Sequence, residues 1–198
     1  MQLILISSPE SLPNEIKWVE ELFKAGLTRF HLRKPEHSRG HLKEYLLAID
    51  PVYYPRICLH THLDLAEEFS LGGVHLNGSV RGDQEVLKYV DSFKKTVRLS
   101  ASAHRLDELG ELKGRFEYVF LSPVFDSLSK VGYCAGFDFS QLKEKLALSE
   151  LSVVALGGCT PGRIKEIKQL GFSGAAFLGY VWQAPEPLEA FFKIKKAF

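Results

Sequence analysis

At 198 residues with 45% hydrophobic content, the chain is long enough to bury a sizeable core in one domain. Its 25 basic and 24 acidic residues leave a formal charge of +1, which excludes a broad electrostatic footprint for nucleic acid but leaves room for a local anion site. The cysteines, Cys58, Cys134 and Cys159, are odd in number and lack metal-like spacing, so reduced thiols in a cytoplasmic setting are expected rather than a disulfide framework.

The first apolar run, Met1 to Ile6, has no basic leader and no small-residue cleavage site, and it stops at Ser7-Ser8-Pro9. A membrane span needs about 20 residues, so this run reads as a first strand and no membrane association is expected. Further strands are predicted over the whole chain, giving Leu3–Ser7, Phe30–Arg33, Ile57–His60, Val74–Asn77, Val97–Ser102, Tyr118–Pro123, Val153–Gly157 and Ala175–Gly179. Amphipathic stretches near 14–25, 39–48, 62–70, 83–91, 105–112, 139–147, 161–170 and 187–196 predict intervening helices. Asp83 stands as an N-cap and Thr160-Pro161 as a cap before a first-turn proline. Gly26 and Gly171 follow periodic stretches as C-terminal glycines do. Eight such pairs predict an α/β fold, a single (β/α)8 TIM barrel over residues 1–198, close to the lower limit of roughly 200 residues for that architecture. An open doubly wound sheet is the alternative, but its glycine-rich first turn is missing.

Alternate strand residues face opposite sides. Phe30 and Leu32, Ile57 and Leu59, and Val74 and Leu76 therefore suit the helix-facing side. His31 and Arg33, Cys58 and His60, His75 and Asn77 are left facing the barrel axis, and Ser100, Ser102 and His104 share one parity in strand five. A lone histidine is more often a satisfied core or surface residue than a catalyst. The same parity repeated in adjacent strands instead makes His31, His60, His75 and His104 candidate acid/base groups. His60 and His62 share a strand face, but no carboxylate or thiolate motif accompanies them, so no metal ligands are assigned.

Strand seven runs into Gly157-Gly158-Cys159-Thr160-Pro161, and strand eight reaches Gly179-Tyr180. Small residues after the last two strands of such a barrel form a recurrent phosphate cradle, because backbone N–H groups approach the anion closely. Gly157, Gly158 and Gly179 are the candidates, and a small phosphorylated substrate is the expected partner. The polar loop after strand six, Asp126 to Tyr133, offers Ser127, Ser129 and Lys130 as a cover for a phosphate, or is an ordinary solvated loop.

Six segments together resemble the thiamin phosphate synthase/TenI family over nearly the whole chain: Phe30 to Lys34, Gly73 to Asn77, Ser102 to His104, Ser122 to Phe125, Ser127 to Lys130 and Ala155 to Gly158. The resemblance implies phosphate or pyrophosphate contacts for Arg33, Ser102, Ser127, Ser129, Lys130, Gly157, Gly158 and Gly179. It also implies Mg2+ and the release of pyrophosphate if the chain is a synthase joining hydroxymethylpyrimidine pyrophosphate to thiazole phosphate. Yet the family's Gln-x-Arg-x-Lys pattern in strand two reads His31-Leu32-Arg33-Lys34-Pro35, so Lys34 serves only if the backbone turns it inward. The metal-binding positions read His60-Thr61 and Val80, with Asp64 and Asp83 as the nearby carboxylates. The histidine of the family's tautomerases is replaced by Pro123.

The leading expectation is a TenI-like enzyme of thiamin biosynthesis acting on thiazole phosphate, with tautomerisation as its reaction and no required cofactor. A synthase with a rearranged Mg2+ site is the alternative, and a non-catalytic thiazole- or thiamin-phosphate binder the third. Another phosphate-binding barrel enzyme is disfavoured by the Ser127–Lys130 loop. Trp182 and the Phe191-Phe192 pair are candidates for a homodimer face, with core packing the alternative use of the phenylalanines.

Overall fold

Short apolar runs that alternate with amphipathic stretches can bury both faces of a strand only in a parallel sheet wrapped by helices. The computed structural model describes residues 1–94, 97–126 and 136–198. Its strands are β1 (Gln2–Ile6), β2 (Arg29–Leu32), β3 (Ile57–Leu59), β4 (Gly73–Leu76), β5 (Arg98–Ala103), β6 (Tyr118–Leu121), β7 (Val153–Ala155) and β8 (Gly174–Phe177). They close in sequence order into one parallel barrel, with β8 paired to β1 from Gln2↔Gly174 to Leu5↔Phe177.

The helices are α1 (Glu15–Lys24), α2 (Arg39–Leu47), α3 (Asp64–Glu68), α4 (Gln84–Asp91), α5 (Glu108–Glu111), α6 (Phe139–Leu148), α7 (Ile164–Leu170), α8 (Gly179–Trp182) and α9 (Pro187–Ala197). Asp83 caps α4, its carboxylate accepting from the amides of Glu85 and Val86. Gly26 and Gly171 take φ of 98° and 95°, the left-handed conformation expected after a helix. Thr160-Pro161 opens a 3-10 turn over Pro161–Arg163 rather than an α-helix, and Thr160 makes no side-chain cap. The short apolar turn after β8 is the single-turn helix α8, and the prolines at 51 and 55 hold a 3-10 helix over Pro51–Arg56.

Phe30, Leu32, Ile57, Leu59, Val74 and Leu76 join the large core between barrel and helices. A second core fills the barrel axis with Ile4, Ile6, Tyr118, Phe120, Val154 and Ala176. The interior is thus divided: β1, β6, β7 and β8 supply apolar side chains, while β2 to β5 supply His31, Cys58, His75 and Ser100, all buried.

Phe191 is fully buried whereas Phe192 is half exposed, so only the latter faces outward. Trp182 turns inward, its indole N–H donating to the Ile6 carbonyl at 2.6 Å. Cys58 and Cys159 are buried free thiols, and Cys134 lies outside the described residues. Among the described residues no helix is long and apolar enough to cross a membrane.

Candidate active site

β2, β3 and β4 end side by side, and their registers bring His31, His60 and His75 to one place. His31 Nδ1 lies 2.9 Å from His60 Nε2, and His31 Nε2 lies 2.5 Å from the Tyr118 hydroxyl. Tyr118, His31 and His60 therefore form a continuous hydrogen-bonded chain rising from the barrel interior toward its mouth. His75 stacks on His60 with ring centres 4.2 Å apart. Its Nδ1 and Nε2 sit 2.9 and 2.8 Å from the hydroxyls of Ser100 and Ser102. Phe120 backs the cluster, 4.8 Å from the His31 ring and 5.0 Å from that of His75.

Burial disfavours the imidazolium form and so lowers these pKa values. For His75 burial, reinforced by the Arg33 charge, brings the value down from 6.5 to about 3. His31 and His60 are held well below the usual histidine range by burial first, with His75 adding to both. All three are neutral at neutral pH, and Tyr118 is pushed upward by burial, so its hydroxyl keeps its proton.

His104 stands apart from this cluster. It is exposed, and its Nδ1 lies 2.9 Å from the Ser122 carbonyl, so of the four candidate histidines three come together. Arg33 is exposed above His60 and His75, close enough for its charge to act on both. Its backbone is fixed by Ser7, whose hydroxyl donates to the Arg33 carbonyl at 2.9 Å and accepts from the Arg33 amide at 2.8 Å. Lys34 does not turn inward: its ammonium is buried against Glu15 at 2.5 Å and the Glu10 carbonyl at 2.7 Å. Ser127, Ser129 and Lys130 lie outside the described residues.

Gly157 and Gly158 adopt φ of 94° and 61°, and a Cβ on Gly158 would stand 2.3 Å from the Asp126 carbonyl oxygen. Their positions are therefore demanded by the close approach of the β6 and β7 loops, where the Phe125 amide donates to the Gly157 carbonyl at 3.2 Å. Gly179 opens α8. Among the described residues the amides of Gly157 and Gly158 donate no backbone hydrogen bond.

Two residues of this region escaped the sequence reading. Tyr118 shares its parity with Phe120, so the alternation that found His31 would also have placed it inside. Arg81 donates to the Ser102 carbonyl and pairs with Glu108 at 3.2 Å, a tertiary contact that no local pattern announces.

The fold has close counterparts. The family model described as thiamine monophosphate synthase matches residues 3–181. The chain belongs to this family. It is 30% identical to thiamine-phosphate synthase 1 of Streptococcus pneumoniae over 172 residues, covering 82% of this chain and 80% of that one. A thiamine-phosphate synthase of Pediococcus pentosaceus is 24% identical over 194 residues, 92% of this chain and 89% of the relative. Among solved structures, a thiamine phosphate pyrophosphorylase of Bacteroides thetaiotaomicron superposes with a TM-score of 0.83 at 31% identity, covering 100% of this chain and 97% of that one.

Magnesium, implied for synthases of the family, asks for hard oxygen ligands in octahedral array. Among the described residues, those at the family's metal-binding positions do not fit it. Asp64 is engaged by Arg39 at 2.6 Å on the surface of α3, and Asp83 is spent on capping α4. His60, Thr61 and Val80 occupy the positions where carboxylates were sought, and imidazole nitrogen is a poor substitute for carboxylate toward magnesium.

Proposed function

We propose that this member of the thiamine monophosphate synthase family is an acid–base enzyme of thiamin biosynthesis that acts on a thiazole phosphate, TenI-like in its chemistry. The observation that carries the reading is the Tyr118–His31–His60 hydrogen-bonded chain, whose outer member His60 falls at one of the family's metal-binding positions. His60, the member nearest solvent, takes the substrate proton, and its contact with His31 spreads the resulting charge over two rings. Burial keeps His60 neutral, the form that can accept a proton from one substrate atom and return it to another. Tautomerisation needs that exchange. Arg33 and Lys130 supply positive charge, Ser102, Ser127 and Ser129 hydroxyl contacts, and Gly157, Gly158 and Gly179 backbone amides for the phosphate.

Purified protein should accelerate aromatisation of the thiazole tautomer phosphate, followed by the change in ring absorbance. His60→Gln should lower kcat about 10²- to 10⁴-fold with a small change in KM. No acceleration by the unaltered protein would sink the tautomerase reading. That the relatives are thiamine-phosphate synthases by name favours a second reading, a synthase with a rearranged metal site. Release of pyrophosphate from the two synthase substrates with magnesium supports that reading, and its absence at saturating concentrations rules against it.

A further inference from the structure

The three clustered histidines come from β2, the end of β3 and β4, and one ring nitrogen from each lies within 4.8 Å of the other two. The outer nitrogen of His31, Nε2, is tied to the Tyr118 hydroxyl at 2.5 Å, and the outer nitrogen of His75, Nδ1, to the Ser100 hydroxyl at 2.9 Å. If each of these outer atoms carries the ring proton, the lone pairs of His31 Nδ1, His60 Nε2 and His75 Nε2 are the ones left to converge. An outer partner that fixes the tautomer of each ring is the arrangement that metal-binding histidines require. Ser100 is itself positioned, its hydroxyl 3.4 Å from the Val74 carbonyl.

We propose that His31 Nδ1, His60 Nε2 and His75 Nε2 form a mononuclear site for a divalent late first-row transition metal of the zinc class, set in the floor of the barrel mouth. Three neutral imidazoles suit zinc, whose bonds to nitrogen are about 2.0–2.1 Å, and suit magnesium poorly. His31 Nδ1 and His60 Nε2, 2.9 Å apart, already approach the spacing of two ligands on one ion. His75 completes the set by a tilt of its ring away from its stack on His60. The open fourth position faces the mouth beside the Ser102 hydroxyl, which is 2.8 Å from His75 Nε2 and is placed to accept a hydrogen bond from a metal-bound water. The ion and the proton shared by His31 and His60 are alternative occupants of one gap. An ion held there would supply a bound water of lowered pKa as a proton carrier in place of His60.

The site is tested without substrate, so its failure and the failure of the tautomerase reading are separate results. Chelator-stripped full-length protein is titrated with Zn2+ by calorimetry and with Co2+ by visible absorption. One equivalent per chain is expected, with the intense bands of four-coordinate Co2+ and no competition from excess Mg2+. His60→Gln, at the partly exposed end of the cluster, should weaken Zn2+ at least about 100-fold, and Tyr118→Phe, which removes an outer partner, about 10-fold. Zn2+ should raise the Tm of the unaltered protein but not that of His60→Gln, whose folding is checked by circular dichroism. His41→Gln alters the surface pair of His37 and His41, whose rings are 5.8 Å apart, and should change nothing. Binding that survives His60→Gln, or that disappears with His41→Gln, overturns the proposal, as does the absence of bound metal.

Discussion

Lys34 and Glu15 are 2.5 Å apart with side chains 0% and 3% exposed, a charge pair sealed beneath the mouth of the barrel. Burial raises the Glu15 pKa, and the neighbouring ammonium draws it back down. Removing one partner of a buried pair leaves an uncompensated charge, whereas replacing both is close to neutral. Lys34→Met should therefore cost about 3–5 kcal/mol in urea unfolding, and Lys34→Met combined with Glu15→Leu should recover most of it. A double variant no more stable than the single one would show that the lysine stabilises the fold by other means. The sequence reading had one half of this arrangement. Alternation separates Arg33 from Lys34, and only the arginine faces the mouth. The lysine's partner lies 19 residues away on α1, and no strand periodicity points to it.

At the scale of elements, the β6 and β7 loops are held together through Gly158, whose φ of 61° and closeness to the Asp126 carbonyl leave no space for a side chain. Gly158→Ala should lower stability by about 1–3 kcal/mol in thermal unfolding and weaken binding of the thiazole phosphate. Unchanged Tm and affinity would remove the loop from both roles. The strands were legible because each carries its own alternation, and the α4 start because Asp83 accepts from amides two and three residues on. Thr160 was misjudged as a helix cap because a proline turn carries too little periodicity to separate 3-10 from α geometry. The histidine site was readable as a parity but not as a geometry. Only the register of neighbouring strands shows that His31, His60 and His75 meet while His104 turns to Ser122.

For the molecule as a whole, the buried histidines tie stability to pH. In the unfolded chain a histidine takes up a proton near pH 6.5, whereas folded His75 does so only at about 3. Above about 6.5 the two states bind equally. As pH falls below it the unfolded state binds more protons and stability drops, by about 1.4 kcal/mol per pH unit for each such group until the folded value is reached. From pH 7 to 5 His75 alone should remove about 2 kcal/mol of stability, and His75→Gln should flatten the profile by that amount. Denaturant unfolding at the two pH values checks it, and parallel profiles for the two proteins would contradict it.

The closure of the barrel sets a condition on how the chain is made. β1 pairs with β8 as well as β2, and the Trp182 indole reaches the Ile6 carbonyl across 176 residues of sequence. During synthesis the first strand therefore waits with one edge open until the eighth has left the ribosome. Contacts of such long sequence separation slow folding, because their loop entropy is lost before they form. The seam beside Trp182 is accordingly where a nascent chain is most open to pairing with a second one.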